Sequence, residues 1–244
     1  MKIAGAKVLL TGANRGIGRA FVDELLRRGA GKVYLGVRNA NSQSFPDDPR
    51  LEVIHLDLAD TASILAAAAK AGDANILINN AGFMAGTGGI AAPSLDGARQ
   101  EMEANYFGPL QLTRAMKDSP VFSSSGAIVN LLSFLSLATI PAAGTYSASK
   151  SAALALTRTV RAELKAKGTL VVAVLPVQVD TEMGAGLPEP RLKPSEVASD
   201  ALDALEAGEE EVFPGQLSKN AAAGFKANPA AVQAQLSQYV RPIE

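Results

Sequence analysis

The chain has 244 residues, 48% of them hydrophobic, a formal net charge of −1 and no cysteine. Disulfides, thiolate metal ligands and a cysteine nucleophile are therefore excluded. The balanced charge, without a large Lys/Arg cluster, argues against a nucleic-acid surface. A single histidine, His55, rules out a multi-histidine metal site, and no metal is expected. It stands in the apolar run Leu51–Leu56 and reads as a side chain packed in or beside a sheet rather than as a catalyst. The apolar stretches are broken well before bilayer length, and no basic-then-apolar segment opens the chain. The expectation is a cytoplasmic protein with no membrane partner.

The elements alternate along the chain. Lys7–Leu10 predicts a first strand, followed by a glycine-rich turn and a helix over about Gly16–Arg28, with Ile17, Phe21, Leu25 and Leu26 on one face. Val33–Val37 and Glu52–Leu56 predict strands two and three, Thr61–Ala71 a helix, and Ala74–Ile78 strand four. Helices over about Gly97–Lys117 and Tyr146–Lys167 flank a fifth strand, Ala127–Leu132. Leu170–Leu175 is a sixth strand, Pro194–Ala207 a helix, and Glu211–Phe213 a seventh strand. From Ser218 on only a helix over about Pro229–Tyr239 is readable. Repeated strand–helix units with wholly apolar strands predict an α/β fold, a parallel sheet covered by helices on both faces. With no linker-like break in composition, residues 1–244 are expected to be one domain. Leu154, Leu156 and Val160 exceed the needs of one sheet-facing stripe, which predicts a homo-oligomer, tetramer or dimer, built on the two long helices.

Thr11-Gly12-Ala13-Asn14-Arg15-Gly16-Ile17-Gly18 joins the first strand to the first helix. Glycines there permit a tight turn and let a pyrophosphate approach backbone N–H groups at a helix N-terminus. The spacing G-x-x-x-G-x-G differs from the commoner dinucleotide fingerprint, and alone it is equally a βα turn without a ligand. The adenosine ribose should meet the end of the second strand, where Val37 occupies the place of the acid that favours NAD. Arg38 follows it, and Arg15 projects from the loop toward the same region. Two guanidinium groups without a carboxylate favour the 2′-phosphate of NADP(H).

With these marks stand Asn79-Asn80-Ala81-Gly82, Asn105, Ser133 and Tyr146-Ser147-Ala148-Ser149-Lys150, in this order. Together they make the chain resemble the short-chain dehydrogenase/reductase family from about Lys7 to Phe213. The resemblance implies one Rossmann-like domain, a doubly wound parallel sheet of seven strands, and reversible hydride transfer from the B face of a nicotinamide. It implies a catalytic set of Asn105, Ser133, Tyr146 and Lys150, with Asn105 holding a water that connects the lysine to solvent. A capping or packing role at a local kink is the other reading of Asn105. It further implies cofactor contacts from Gly12, Asn14, Arg15, Gly16, Ile17, Gly18, Arg38, Asp57, Leu58, Asn79, Ala81, Gly82, Pro176, Val179 and Thr181. Asp57 reads nearly as well as the cap of the helix from Thr61.

The chemistry also follows from the residues. Tyr146 and Lys150, four apart at a helix start, share one face. An ammonium beside the phenol would lower its ordinary pKa of about 10 toward a useful range. Ser133, at the end of the fifth strand, can orient a carbonyl and stabilise oxyanion charge, with Ser136 a less suitable substitute. Two departures stand out. Val177 follows Pro176 where the family commonly has glycine, which narrows the site, and only Asn39–Arg50 separates strands two and three, which leaves a usual helix short or missing. Candidate substrate contacts are Phe83, Met84, Phe134, Leu135, Val177, Met183 and Leu187. Their apolar character points to an apolar or aromatic ketone, or the corresponding alcohol. An epimerase, an imine reductase and a non-catalytic NADP(H)-binding regulator are the competing readings.

Overall fold

A computed structural model describes residues 1–39 and 45–240. Seven parallel strands form one sheet in the order β3-β2-β1-β4-β5-β6-β7. They are β1 (Lys7–Thr11), β2 (Lys32–Val37), β3 (Leu51–His55), β4 (Ile76–Asn79), β5 (Ala127–Leu131), β6 (Leu170–Val174) and β7 (Glu211–Val212). Helices α1 (Gly16–Arg27) and α6 (Pro194–Ala207) cover one face. On the other lie α2 (Thr61–Lys70), α3 (Asp96–Met102), α4 (Gly108–Ala115) and α5 (Gly144–Leu164). The strands are apolar throughout because neighbouring residues enter different layers. Val8 and Leu10 pack with Phe21 and Leu25 of α1 and Leu202 and Leu205 of α6, whereas Leu9 packs with Ile64 of α2 and Leu112 of α4.

Strand order reverses between β1 and β4, so the connections leaving their carboxyl ends diverge and open a crevice there. The glycine loop leaves β1 at this point, residues 80–82 leave β4, and Ser133 lies just beyond β5.

Several details differ from the sequence reading. His55 is exposed at the carboxyl end of the edge strand β3, because among the described residues no further strand or helix covers it there. The single helix expected over Gly97–Lys117 is α3 and α4 joined by a π-helical turn, Glu103–Phe107, in which the Gly108 N–H reaches back to the Glu103 carbonyl. Pro109, which has no N–H, follows at once, so the wide turn replaces hydrogen bonding that a regular helix would lose. Leu154 and Val160 are buried within the chain's own core, at 3% and 8% exposure, and offer nothing to a second copy. Leu156 is half-buried and Phe107 exposed on the same layer. No helix follows β2 among residues 39 and 45–50, and residues 40–44 lie outside the described residues. Two helices close the chain, α7 (Gly215–Ala227) and α8 (Pro229–Leu236), the first of them unforeseen. No helix among the described residues is long and apolar enough to cross a membrane.

The α1–α6 contact fixes the helix that starts at the glycine loop. Arg28 joins Glu24 of α1 to Asp203 and Glu206 of α6, at 2.8, 2.9 and 2.9 Å. Hydrogen bonding from Arg27, assisted by Arg28, holds the Glu24 carboxyl down at about 2, against an ordinary 4.5. The folded value lies below the unfolded one, so this stabilisation is complete above pH 4.5 and disappears as pH falls through about 2. Urea unfolding of the wild type should lose stability between these limits. Glu24→Gln should be less stable at pH 7 and lose less stability across that range than the wild type, with Asp48, also held down at about 2, still contributing.

Candidate active site

The crevice is built from the ends of β1 and β4. Thr11 Oγ1 accepts the backbone N–H groups of Asn80 and Ala81 at 3.0 and 2.9 Å. The Asn80 amide returns to the carbonyls of Thr11 and Gly12 at 2.9 and 3.1 Å. Asn79 extends the network sideways, its Nδ2 donating to Asn130 Oδ1 on β5 at 2.8 Å, and Asn130 in turn donates to Thr157 Oγ1 of α5 at 2.9 Å. Gly12 has φ +67°, and a Cβ on it would stand 3.0 Å from the Ala81 Cα. A Cβ on Gly18 would strike the Gly12 carbonyl oxygen. The loop and the first turn of α1 are thus packed backbone to backbone, and Arg15 precedes the helix without a side-chain cap. The first N–H groups of α1 remain for an anionic ligand such as a dinucleotide pyrophosphate.

The other expected cofactor residues are distributed around this loop. A Cβ on Gly16 would come 3.1 Å from Thr181 Cγ2, so the connection after β6 closes onto the glycine loop. Thr181 Oγ1 accepts the Gly184 N–H at 3.2 Å, and Val179 is buried beside Leu192. Arg15, expected to point to the ribose, is ion-paired with Glu182, and both side chains are more than half exposed. Such a pair contributes roughly 0–1 kcal/mol, so it is readily exchanged for another anion. Arg38 is exposed at the end of β2, Asn14 and Ile17 are half-buried, and Pro176 is buried. Asp57 does not cap α2. Asp60 does, accepting the Ala62 N–H at 2.9 Å, while Asp57 accepts the Ala59 N–H and its own N–H bonds Ser63. Leu58 is buried in the core rather than open to the crevice.

Tyr146 and Lys150 lie in the first turns of α5, buried at 8% and 5% exposure. Lys150 Nζ donates to the Leu131 carbonyl at 2.9 Å, at the end of β5, and stands 5.8 Å from the centre of the Tyr146 ring. A Cβ on Gly82 would come 3.5 Å from that Nζ and 3.1 Å from Asn105 Oδ1. Gly82 thus leaves room where the β4 connection passes the lysine. Beneath it, a cavity of about 20 Å³ is lined by Asn79, Asn105, Asn130 and Lys150 among others.

Desolvation governs both ionisable groups. Burial pushes the Tyr146 phenol up to about 12; the Ser133 hydroxyl opposes this by hydrogen bonding, and the charge of Glu101 adds to it. Burial likewise lowers Lys150 to about 8. The expectation that Lys150 would depress Tyr146 is therefore not met, because removal from water outweighs the nearby ammonium. What results is a phenol kept protonated, beside an amine that exchanges protons near neutral pH.

Asn105 sits inside the π-helical turn, and its side chain is fully engaged. Its Oδ1 accepts the Phe83 N–H at 2.9 Å, and its Nδ2 donates to the Phe83 carbonyl at 2.8 Å and Ser149 Oγ at 2.9 Å. These contacts fit the packing reading at a kink, and they tie the β4 connection to α5. Ser133 begins the turn after β5, its Oγ accepting the Leu135 N–H at 3.1 Å. Of the substrate-facing candidates, Phe83 is 37% and Met183 44% exposed. Val177 is half-buried, with its N–H on Ser218 Oγ of α7. Phe134 is buried and meets Phe225 of α7 edge to face, with ring centres 6.0 Å apart. Sequence reasoning placed Thr11 and Asn80 within the two motifs without assigning their bracing role, and it missed Glu101 and the α7 residues, which carry no local signal.

Comparison with known proteins gives a consistent result. The family model for short chain dehydrogenase matches residues 6–191. Short chain dehydrogenase mpl6 of Monascus purpureus is 33% identical over 201 residues, covering 76% of this chain and 68% of that protein. The crystal structure of a short chain dehydrogenase from Burkholderia cenocepacia in complex with NADP is 40% identical. It superposes with a TM-score of 0.91 over 97% of this chain and 99% of that one. The NADPH-bound carbonyl reductase from chicken fatty liver is 28% identical, with a TM-score of 0.77 over 86% of this chain and 92% of that one.

The cradle itself is testable. Gly12→Ala places a side chain in a left-handed conformation that costs about 1–2 kcal/mol, besides crowding Ala81. Dinucleotide affinity, followed by fluorescence titration of the folded variant, should fall about tenfold or more.

Proposed function

The chain belongs to the short-chain dehydrogenase/reductase family, and from that premise we propose that it is an NADP(H)-dependent oxidoreductase that interconverts an apolar or aromatic ketone and its alcohol. The observation that carries this reading is the grouping of Ser133, Tyr146 and Lys150 beside the glycine cradle, at one end of the sheet. NADP(H) as the cofactor is supported by Arg15, Arg38 and the non-acidic Val37, and by the NADP and NADPH bound in the similar structures. The cradle fits such a group: a Cβ would be crowded at Gly12 and would strike backbone at Gly18, and the first turn of α1 carries no side-chain cap. An apolar substrate is supported by Phe83, Ile90, Met183 and Leu187, which are exposed in the connections after β4 and β6. The same reading takes residues 1–244 as one dinucleotide-binding and catalytic domain, cytoplasmic, and assembled as a homo-oligomer, tetramer or dimer, with Phe107 and Leu156 at the shared face.

When bound, the nicotinamide supplies the hydride. The chain's own residues manage the proton and the charge. Ser133 holds the carbonyl oxygen and faces the negative charge that develops there. Tyr146, kept neutral by burial, gives its phenolic proton to that oxygen. Lys150 carries the compensating positive charge and, at about 8, can return a proton toward the phenolate. Asn105 contributes by fixing Phe83 and Ser149, so the catalytic helix and the substrate wall move as one body.

Tyr146→Phe keeps the ring and removes the exchangeable proton. Ketone reduction should fall roughly 10²–10⁴-fold while NADPH still binds, as measured by single turnover. Wild-type hydride transfer in the folded, loaded variant would remove Tyr146 from the reaction. For the wild type, reduction should weaken as pH rises through about 8 and Lys150 loses its charge. NADPH should bind more tightly than NADH at equal ionic strength, and Arg38→Ala should narrow the difference. Sedimentation at micromolar concentration tests assembly, since a pure monomer contradicts it.

A further inference from the structure

Glu101 is wholly buried, at 0% exposure, and has so far entered only through the effect of its charge on the Tyr146 phenol. It lies on α3 four residues before Asn105, which places both side chains on the same helical face. Asn105 holds both backbone polar groups of Phe83, and Glu101 Oε1 accepts the N–H of Ala85 at 2.8 Å. Residues two apart in an extended segment present their backbone groups to the same side. One helix face therefore acts on residues 83–85 as the edge of a neighbouring strand would. The other carboxylate oxygen, Oε2, is buried without a hydrogen-bond partner. A neutral amide could accept the same N–H without the cost of enclosing a charge. The charge thus calls for a reason beyond anchoring.

We propose that Glu101 is a positioning residue of this active site, fixing the segment that carries Phe83 and Met84 and so the pose in which a ketone meets Tyr146. This inference rests on the reading of the site as a ketone reductase. Its buried charge has a second effect. Two charged groups bear on the phenol, Lys150 from its own helix and Glu101 from α3, while Ser133 reaches it from the turn after β5. Glu101 disfavours the phenolate and so reinforces the protonated, proton-donating form.

Glu101→Gln keeps an acceptor for Ala85 but removes the charge, whereas Glu101→Ala removes both. Three measurements separate the effects: hydrogen exchange at the Ala85 amide and ketone KM and kcat, both with NADPH, and the pH profile of alcohol oxidation with NADP+. Glu101→Ala should lose protection at Ala85 and raise KM about tenfold, with NADPH affinity unchanged. Glu101→Gln should keep Ala85 protected and KM within about twofold, yet move the rising limb of alcohol oxidation to lower pH. Wild-type Ala85 exchange or wild-type KM in Glu101→Ala overturns the proposal, as does an unshifted pH limb in Glu101→Gln. If the wild type itself turns over no ketone or alcohol, the parent reading fails. The Ala85 exchange then still decides whether Glu101 anchors the segment.

Discussion

The cross-bracing between the ends of β1 and β4 is the constraint on which the site depends. Parallel strands on either side of a topological switch leave their connections running in opposite directions, and nothing in the sheet itself holds those connections together. Here one hydroxyl, Thr11 Oγ1, and one amide, Asn80 Nδ2, supply four hydrogen bonds with only local backbone as partner. Because these partners are main-chain groups, the distance between glycine loop and β4 connection does not depend on any long, flexible side chain. Gly12, Gly18 and Gly82 then occupy the points where the chains come closest.

From that fixed edge the polar network runs inward through Asn79, Asn130 and Thr157 to α5, the helix carrying Tyr146 and Lys150. It runs outward through Asn105 to Phe83 and Ser149. Buried polar groups are tolerated only when satisfied, and these mostly satisfy one another. Enclosure also drives the two ionisable groups proposed for catalysis apart from their nearly equal ordinary values, phenol up and amine down. A neutral acid next to a readily deprotonated amine suits proton delivery to a carbonyl oxygen better than proton removal from an alcohol.

The legible part of this molecule is the part whose meaning is local. The glycine loop, the Tyr146/Lys150 pair and Ser133 at a strand end each declare a geometry within a few residues, and the apolar strands declare their burial. Glu101 does not, because its role depends on Ala85, sixteen positions earlier in the chain. The α1–α6 ionic contacts are hidden for the same reason. Helix α7 escapes because it buries only Gly215 and Ser218 and so has no apolar stripe to read. Leu154 and Val160 mislead in the opposite sense. They suggest a surface left for a partner, yet Leu154 packs with Leu132 and Leu175, and Val160 with Ile128 and Val171.

The π-helical turn also sets a register. Each residue advances an α-helix by about 100°, so the extra residue in Glu103–Phe107 rotates everything before it relative to everything after it. Glu101 and Asn105 can therefore face residues 83–85 while Leu112 and Met116, a few residues on, still face the sheet. A regular helix of the same sequence could satisfy one set or the other. Removing a single residue from this turn would leave composition, charge and hydrophobic content almost untouched, yet it would swing the gripping side chains away from their segment. Insertions and deletions of one residue here are thus a more severe class of change than most substitutions. Related chains that share the grip are expected to share the spacing between the two faces, whatever residues fill it.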